Sequence, residues 1–415
     1  MRVPSLFVTF ALLTFALPTT ASRADTLSDR IADGEYLARA ADCVACHTAP
    51  GGKPFAGGRA FALPFGVVYS PNITPDAETG IGRYSDDEWV DMLHKGVARD
   101  GKHLYPVMPY AEYTLMSRED ALALKAYLMS REPVRATAPK NTLGFPFNQR
   151  WTMVFWNWFN NPNRRFVADQ TKSAAYNRGD YLVNGPGHCG ECHTPRTFMF
   201  GLKRSKAFAG EVQVGWRAYN LTSDKASGLG NWSDDQLFQY LSTGQAPGRG
   251  PASGPMAEAV EHSLSQLKAD DVKAIVTYLR GVPALSDGPP AVSPEPAAAS
   301  PDPLGARLFA QACAGCHLPS GSGRQSPWAA LAGSHTAADP EGTNLVQVLT
   351  QGSELHTKDG LMFMHAFTGA YTDDELAAIA NYTQERFGLK KGSISPAMIA
   401  KQRTANPDKP AKPSS

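Results

Sequence analysis

Six cysteines occur in this chain of 415 residues, and all six fall in one pattern used three times. "CVACH" holds Cys43, Cys46 and His47, "CGECH" holds Cys189, Cys192 and His193, and "CAGCH" holds Cys313, Cys316 and His317. No other feature constrains the fold as much. A redox dithiol has no need of a histidine directly after its second cysteine. A structural zinc site would bring two pairs close together, whereas these lie more than a hundred residues apart in sequence. C-x-x-C-H is the attachment signature of c-type haem: two thioethers anchor the macrocycle, and the histidine is held under the iron as proximal ligand. The pattern predicts three covalent haems.

The chain is long enough for about three domains of ordinary size, one per haem. Its 40 basic and 39 acidic residues nearly cancel, so nothing points to a nucleic-acid partner or an acidic substrate. The N-terminus reads as a secretory signal: Arg2, the apolar stretch "SLFVTFALLTFALP", then small residues in "TTASRAD". Cleavage after Ala24 fits best, with Ala21 as the alternative, and the apolar run is short for an uncleaved membrane span. Export agrees with c-type haem, because thioether formation consumes thiols that would otherwise oxidise outside the cytoplasm.

The motifs sit in longer repeats. "GEYLARAADCVACHT" (34–48) matches "GDYLVNGPGHCGECHT" (179–194) and, more loosely, "GARLFAQACAGCHLP" (305–319). Each reads as an amphipathic helix running into the motif. "YSPNITPDAETGIGRYSDDEWVDMLHKG" (69–96) matches "YNLTSDKASGLGNWSDDQLFQYLSTG" (219–244), with Ser85/Glu88 and Ser233/Gln236 placed as capping boxes. Each repeat closes on a second helical pattern, "SREDALALKAYLMS", "KADDVKAIVTYLRG" or "TDDELAAIANYTQERF". A Pro/Ala/Ser-rich stretch at 286–303 reads as an extended linker, and the C-terminal "NPDKPAKPSS" as disordered. The expected divisions are a signal at 1–24, domains at 25–172 and 173–285, the linker at 286–303, a third domain at 304–390 and a flexible tail at 391–415.

A sixth ligand closes each haem iron, and methionine in that place raises the potential. Met108 in "LYPVMPY" and Met256 in "GPMAEAV" each follow their histidine by about sixty residues and precede a closing helix, which singles them out among eleven methionines. Met116 is a packing candidate. In the third repeat "LMFMHAF" offers Met362, Met364 and His365; spacing to the closing helix favours Met364, while His365 would give bis-histidine ligation and a lower potential. His94, His103 and His188 read as surface or packing residues. The segment "RWTMVFWNWFNNPNRRF" (150–166), aromatic with basic ends, suits either a lipid headgroup interface or packing between the first two repeats.

Taken together, "CVACHT", "PFGVVYSPNITPDAETGIG", "LYPVMPYAEY", "GHCGECHTPR", "GPMAEAV" and the third "CAGCH" make the chain resemble the triple-haem cytochrome c subunits of bacterial membrane-bound dehydrogenases. The resemblance covers nearly the whole mature chain. It implies a mainly α fold of three tandem cytochrome c-type domains, each with one covalent haem. It also implies a separate catalytic subunit carrying flavin, pyrroloquinoline quinone or molybdenum cofactor, and leaves open a further small subunit. Electrons would pass to ubiquinone at the periplasmic face of the inner membrane, to which the chain would be peripherally bound. One departure stands out: "MHAF" (364–367) replaces the family's usual Met-Pro-Ala-Phe. No catalytic constellation for substrate oxidation is present in the sequence. The rival reading is a free-standing periplasmic multi-haem carrier or a peroxidase-like enzyme.

Overall fold

The computed structural model describes residues 26–288, 302–324, 327–358, 360–388 and 391–405. The expected signal at 1–24 and most of the expected linker at 286–303 lie outside these residues. What is described is mainly helical, with four two-stranded antiparallel hairpins that the sequence pattern did not reveal.

One device is built three times. A leading helix packs across a closing helix: Leu27–Ala40 on Arg118–Met129, Ala174–Asn184 on Ala269–Arg280, and Pro303–Ala312 on Asp373–Phe387. At each crossing the leading helix carries a glycine. A Cβ on Gly34 would stand 1.9 Å from the carbonyl oxygen of Ala123, one on Gly179 2.0 Å from that of Ala274, and one on Gly305 2.4 Å from that of Ala378. The "G" that opens each quoted repeat is thus the contact that lets two backbones meet. Alanine is the better helix former at such a position, but the clash outweighs that gain. Gly179→Ala is therefore expected to destabilise the folded protein by about 1–3 kcal/mol, the usual cost of overpacking. Denaturant unfolding of the haem-loaded protein measures this, with Gly369→Ala as the comparison because no atom lies within 4 Å of the Cβ it would add.

Local chemistry sets the element boundaries. Ser85 and Ser233 form the expected capping boxes with Glu88 and Gln236, and Thr372 forms a third with Glu375 at the start of the last closing helix. Each of the three units has its own core. Leu93, Met116, Leu124 and Leu128 are buried in the first, Leu182, Ile275 and Leu279 in the second, and Phe309, Leu376 and Ile379 in the third.

The second unit touches both of its neighbours. Toward the first, the Tyr36 hydroxyl donates to Asp271 at 2.5 Å and Tyr181 to Asp120. Toward the third, Arg217 meets Asp339 at 2.9 Å and Glu341 at 2.6 Å, and Asn344 exchanges two hydrogen bonds with the backbone of Arg217.

The tail expected at 391–415 is corrected in part. Pro396–Ala405 is a helix, with Ile394 and Ile399 buried in the third core and Arg403 bonded to Asp373 and to the carbonyls of Thr368 and Tyr371. Two isoleucines at that spacing bury enough apolar surface to hold a segment whose composition otherwise looks like tail.

Candidate haem sites

The three motifs occupy one-turn helices that follow the leading helices: Cys43–Cys46, Gly190–His193 and Ala314–His317. No disulfide joins any of their cysteines. Burial is the largest influence on the thiols of Cys43, Cys46, Cys189, Cys192 and Cys313, raising all five and pushing Cys46 and Cys189 up to about 12 and Cys313 to about 11. A reactive dithiol has a depressed value, so the surroundings do not suit redox-dithiol chemistry. The Cys46 thiol also feels the charges of Asp42, Arg59, Glu258 and Cys192, which places the first and second motifs within electrostatic reach of one another.

The histidines share one geometry. His47 Nδ1 lies 2.9 Å from the carbonyl oxygen of Pro71, His193 Nδ1 2.6 Å from that of Tyr219, and His317 Nδ1 2.7 Å from that of Ala329. A carbonyl can only accept, so Nδ1 carries the proton and donates, leaving the Nε2 lone pair free. Burial lowers the pKa of all three rings and so favours their neutral form. A neutral imidazole tethered through Nδ1 is what an axial nitrogen ligand requires.

Two of the accepting carbonyls sit in loops that sequence reasoning passed over. The Asn72 side chain donates to Val134 O at 2.7 Å and Thr79 Oγ1 at 2.9 Å, and Asn220 donates to Leu285 O at 2.6 Å and Ser227 Oγ at 3.0 Å. Each asparagine directly follows the residue whose carbonyl holds the histidine. The signal was present in the matched "PNIT" and "YNLT".

The methionines differ in their surroundings. Met108 packs against the first core, as Cys43 and Val44 also do, and against the small cluster of Tyr110, Ala111 and Trp156. Met256 is the second residue of the helix Pro255–His262 and joins an apolar cluster shared by the second and third units: Ala252, Ala257, Val260, Trp328, Leu355 and Met362. Met364 lines an apolar cavity together with Cys313 and His317. Phe309, Leu345, Val348 and Ile379 make its walls apolar, and Pro251 and Ser253 of the second unit close one side. The apolar lining suits a bound macrocycle, and the donor set suits haem c.

Register explains how "LMFMHAF" is distributed. In the hairpin Ser353–Thr357/Gly360–Met364, Ser353 pairs with Met364 and Leu355 with Met362. Side chains alternate along a strand, so both methionines take the inner face. Met362 lies against Trp328 and Leu355, whereas Met364 faces the cavity. His365 is exposed, its ring 4.8 Å from that of Phe363. Met116 is fully buried in the first core. His94 is buried, and desolvation is the main cause of a pKa near 4. His103 bonds Asn157 at 3.2 Å, and the His188 ring packs edge-on to Tyr113 at 5.7 Å.

Residues 31–132 match the family described as cytochrome c, and residues 301–382 that described as cytochrome c oxidase, cbb3-type, subunit III. Whole-length similarity goes further. The chain is 37% identical to the fructose dehydrogenase cytochrome subunit of Gluconobacter japonicus, over 95% of its own length and 87% of that subunit. It is 37% identical to the gluconate 2-dehydrogenase cytochrome c subunit of Pantoea cypripedii, over 86% and 85% of the two chains. It is 34% identical to the alcohol dehydrogenase (quinone) cytochrome c subunit of Gluconobacter oxydans, over 89% and 81%. With tethered histidines beside paired cysteines in a helical frame, and similarity of that extent, the chain belongs to the family of cytochrome c subunits of fructose, gluconate and alcohol dehydrogenases.

Proposed function

We propose that this chain is a three-haem electron relay between the catalytic subunit of a membrane-bound dehydrogenase and ubiquinone. Haem c, thioether-bound at Cys43/Cys46, Cys189/Cys192 and Cys313/Cys316, supplies the one-electron chemistry. The chain's own residues would hold and tune it: His47, His193 and His317 as nitrogen ligands, with Met108, Met256 and Met364 as sulfur ligands. The observation that carries this reading is the recurrence of one site, paired cysteines beside a histidine whose Nδ1 proton is held by a backbone carbonyl, in three consecutive packed units. The relatives' names support a dehydrogenase partner that oxidises an alcohol, sugar or sugar acid. The substrate would be set by that partner.

A leader at 1–24 would deliver the chain to the periplasmic face of the inner membrane. Among the described residues no helix is long and apolar enough to cross a membrane, so attachment would be by surface. The segment 150–166 supports this in part. Trp156 is buried, 5.8 Å edge-on to Tyr110, and its Nε1–H donates to Met199 O at 2.9 Å, which ties the first unit to the second. Trp151, Phe155, Trp158 and Phe159 stay exposed, and Phe145, Phe198 and Phe200 add to the exposed aromatic surface. Phe65, stacked on Phe147 at 3.9 Å and 5.4 Å from Phe200, links the aromatics of the two units. An exposed apolar surface of that kind marks an interaction site, and aromatic rings edged by Arg150 and Arg164 suit a headgroup layer.

The test is reconstitution. The mature protein expressed alone should carry three haem mass additions, show haem bands reducible by dithionite, and remain oxidised with alcohols, sugars or aldehydes. Adding its co-purifying catalytic subunit should produce substrate-driven reduction. Reduction by substrate without that partner, or fewer than three haems on matured protein, overturns the reading.

A further inference from the structure

The helix Pro255–His262, which begins next to Met256, is fastened to both neighbouring units through successive faces. Toward the first unit, both carboxylate oxygens of Glu258 accept from the Arg59 guanidinium, one at 2.8 Å. The same guanidinium donates at 2.6 Å to the carbonyl of Ala45, which lies between the two cysteines of "CVACH". Just past the helix, Ser263 Oγ donates to Ala40 O at 3.2 Å, and Arg39 donates to Gln266 at 2.9 Å. Toward the third unit, the Glu261 carboxylate accepts from the backbone N–H of His356 and lies 3.0 Å from its ring Nδ1. Ala257 and Val260 meet Leu355 in the hairpin that carries Met364. One short helix therefore borders the first motif, carries the second site's methionine and braces the third site's hairpin.

Arg59 and Glu258 stand 199 positions apart in sequence and are each about one-third exposed, 30% and 33%. An ordinary surface ion pair contributes little. This one differs in geometry: a planar fork spans three acceptors, two on Glu258 and one inside the first motif, and the bond to Glu258 is the main cause that raises the Arg59 pKa. The Ala45 carbonyl and the helix behind Met256 cannot separate without breaking it.

We propose that Arg59 and Glu258 are positioning residues that set the separation of the first and second haem sites. This rests on the reading of Cys43/Cys46 and Met256 as haem-holding groups. Electron transfer between two centres weakens steeply with distance, so a clamp joining the first motif to the distal helix of the second site controls the rate between them without touching either iron.

The test uses the full, haem-loaded chain with Arg59→Gln, Glu258→Gln, the double variant and Arg59→Lys. Two quantities are read: amide hydrogen exchange over 255–262, and the rate at which an injected electron equilibrates between the first and second haems. Each single variant should speed exchange over 255–262 and slow equilibration between the two haems, because losing the fork frees the first motif and the helix to separate. The double variant should be no slower than the slower single one, because partners in one clamp are not additive. Arg59→Lys should not rescue, since an ammonium cannot span three acceptors as a fork does; if a neutral variant loads fewer than three haems, Arg59→Lys is the variant measured. Wild-type exchange and equilibration in fully loaded variants, or effects that multiply in the double variant, overturn the clamp. A wild-type chain without three haems would instead overturn the haem reading beneath it.

Discussion

Met364→Ala is expected to remove about one-third of the ferric near-infrared methionine–iron band, one site's share of three. It should lower the potential of the third haem by on the order of 0.1 V, within the roughly 0.8 V range that axial ligands command. His365→Ala is expected to change neither. The argument is one of register. Met364 ends the strand Gly360–Met364 opposite Ser353, and both line the cavity with His317 and Cys313. The next side chain is carried outward, where His365 meets Phe363 instead. Met362 has the right face but the wrong position, two pairs further along the hairpin and packed against the cluster that holds Trp328 and Leu355. Near-infrared spectroscopy and a redox titration of the two variants decide the matter. A band and potential unmoved by Met364→Ala but altered by His365→Ala would assign the ligand to the histidine.

Trp151→Ser combined with Trp158→Ser is expected to release the protein from anionic vesicles while leaving its haem content unchanged. Trp158 is 78% exposed and Trp151 63%, so neither substitution opens a cavity in the fold. A tryptophan inserted at a headgroup boundary removes roughly 100 Å² or more of apolar surface from water, about 2–3 kcal/mol each at about 25 cal/mol per Å². Losing both should weaken partitioning by at least about a hundredfold. Vesicle co-sedimentation measures this, with Trp156→Ser as the contrast: that ring is buried against Tyr110, and its loss should destabilise the fold. Equal sedimentation of the double variant and wild type would remove the segment from membrane attachment.

The aromatic segment shows where reading along the chain stops. Its composition suits both a lipid face and inter-domain packing, and the structure buries one ring between units while leaving others exposed. Trp156 turns inward to Tyr110 and Met199, while Trp151 and Trp158 remain outside. Composition is a property of a segment, but burial is decided ring by ring by what lies opposite.

What the sequence determined by itself was local. C-x-x-C-H places two sulfurs and an imidazole on one helical turn, so covalent spacing alone identifies the chemistry. Capping boxes at Ser85 and Ser233 close within three residues, and the matched repeats align Gly34, Gly179 and Gly305, although their role is visible only in the contact with the closing helices. The tertiary structure decided whatever depends on long-range pairing. Which of three adjacent residues faces the third cavity follows from a hairpin register. Whether 396–405 is tail or helix follows from a core ready to receive Ile399. Arg59 finds Glu258 only because the second unit packs against the first. Short-range hydrogen bonds and covalent spacing are written in neighbouring letters; burial and long-range ion pairs exist only once distant segments have been brought together.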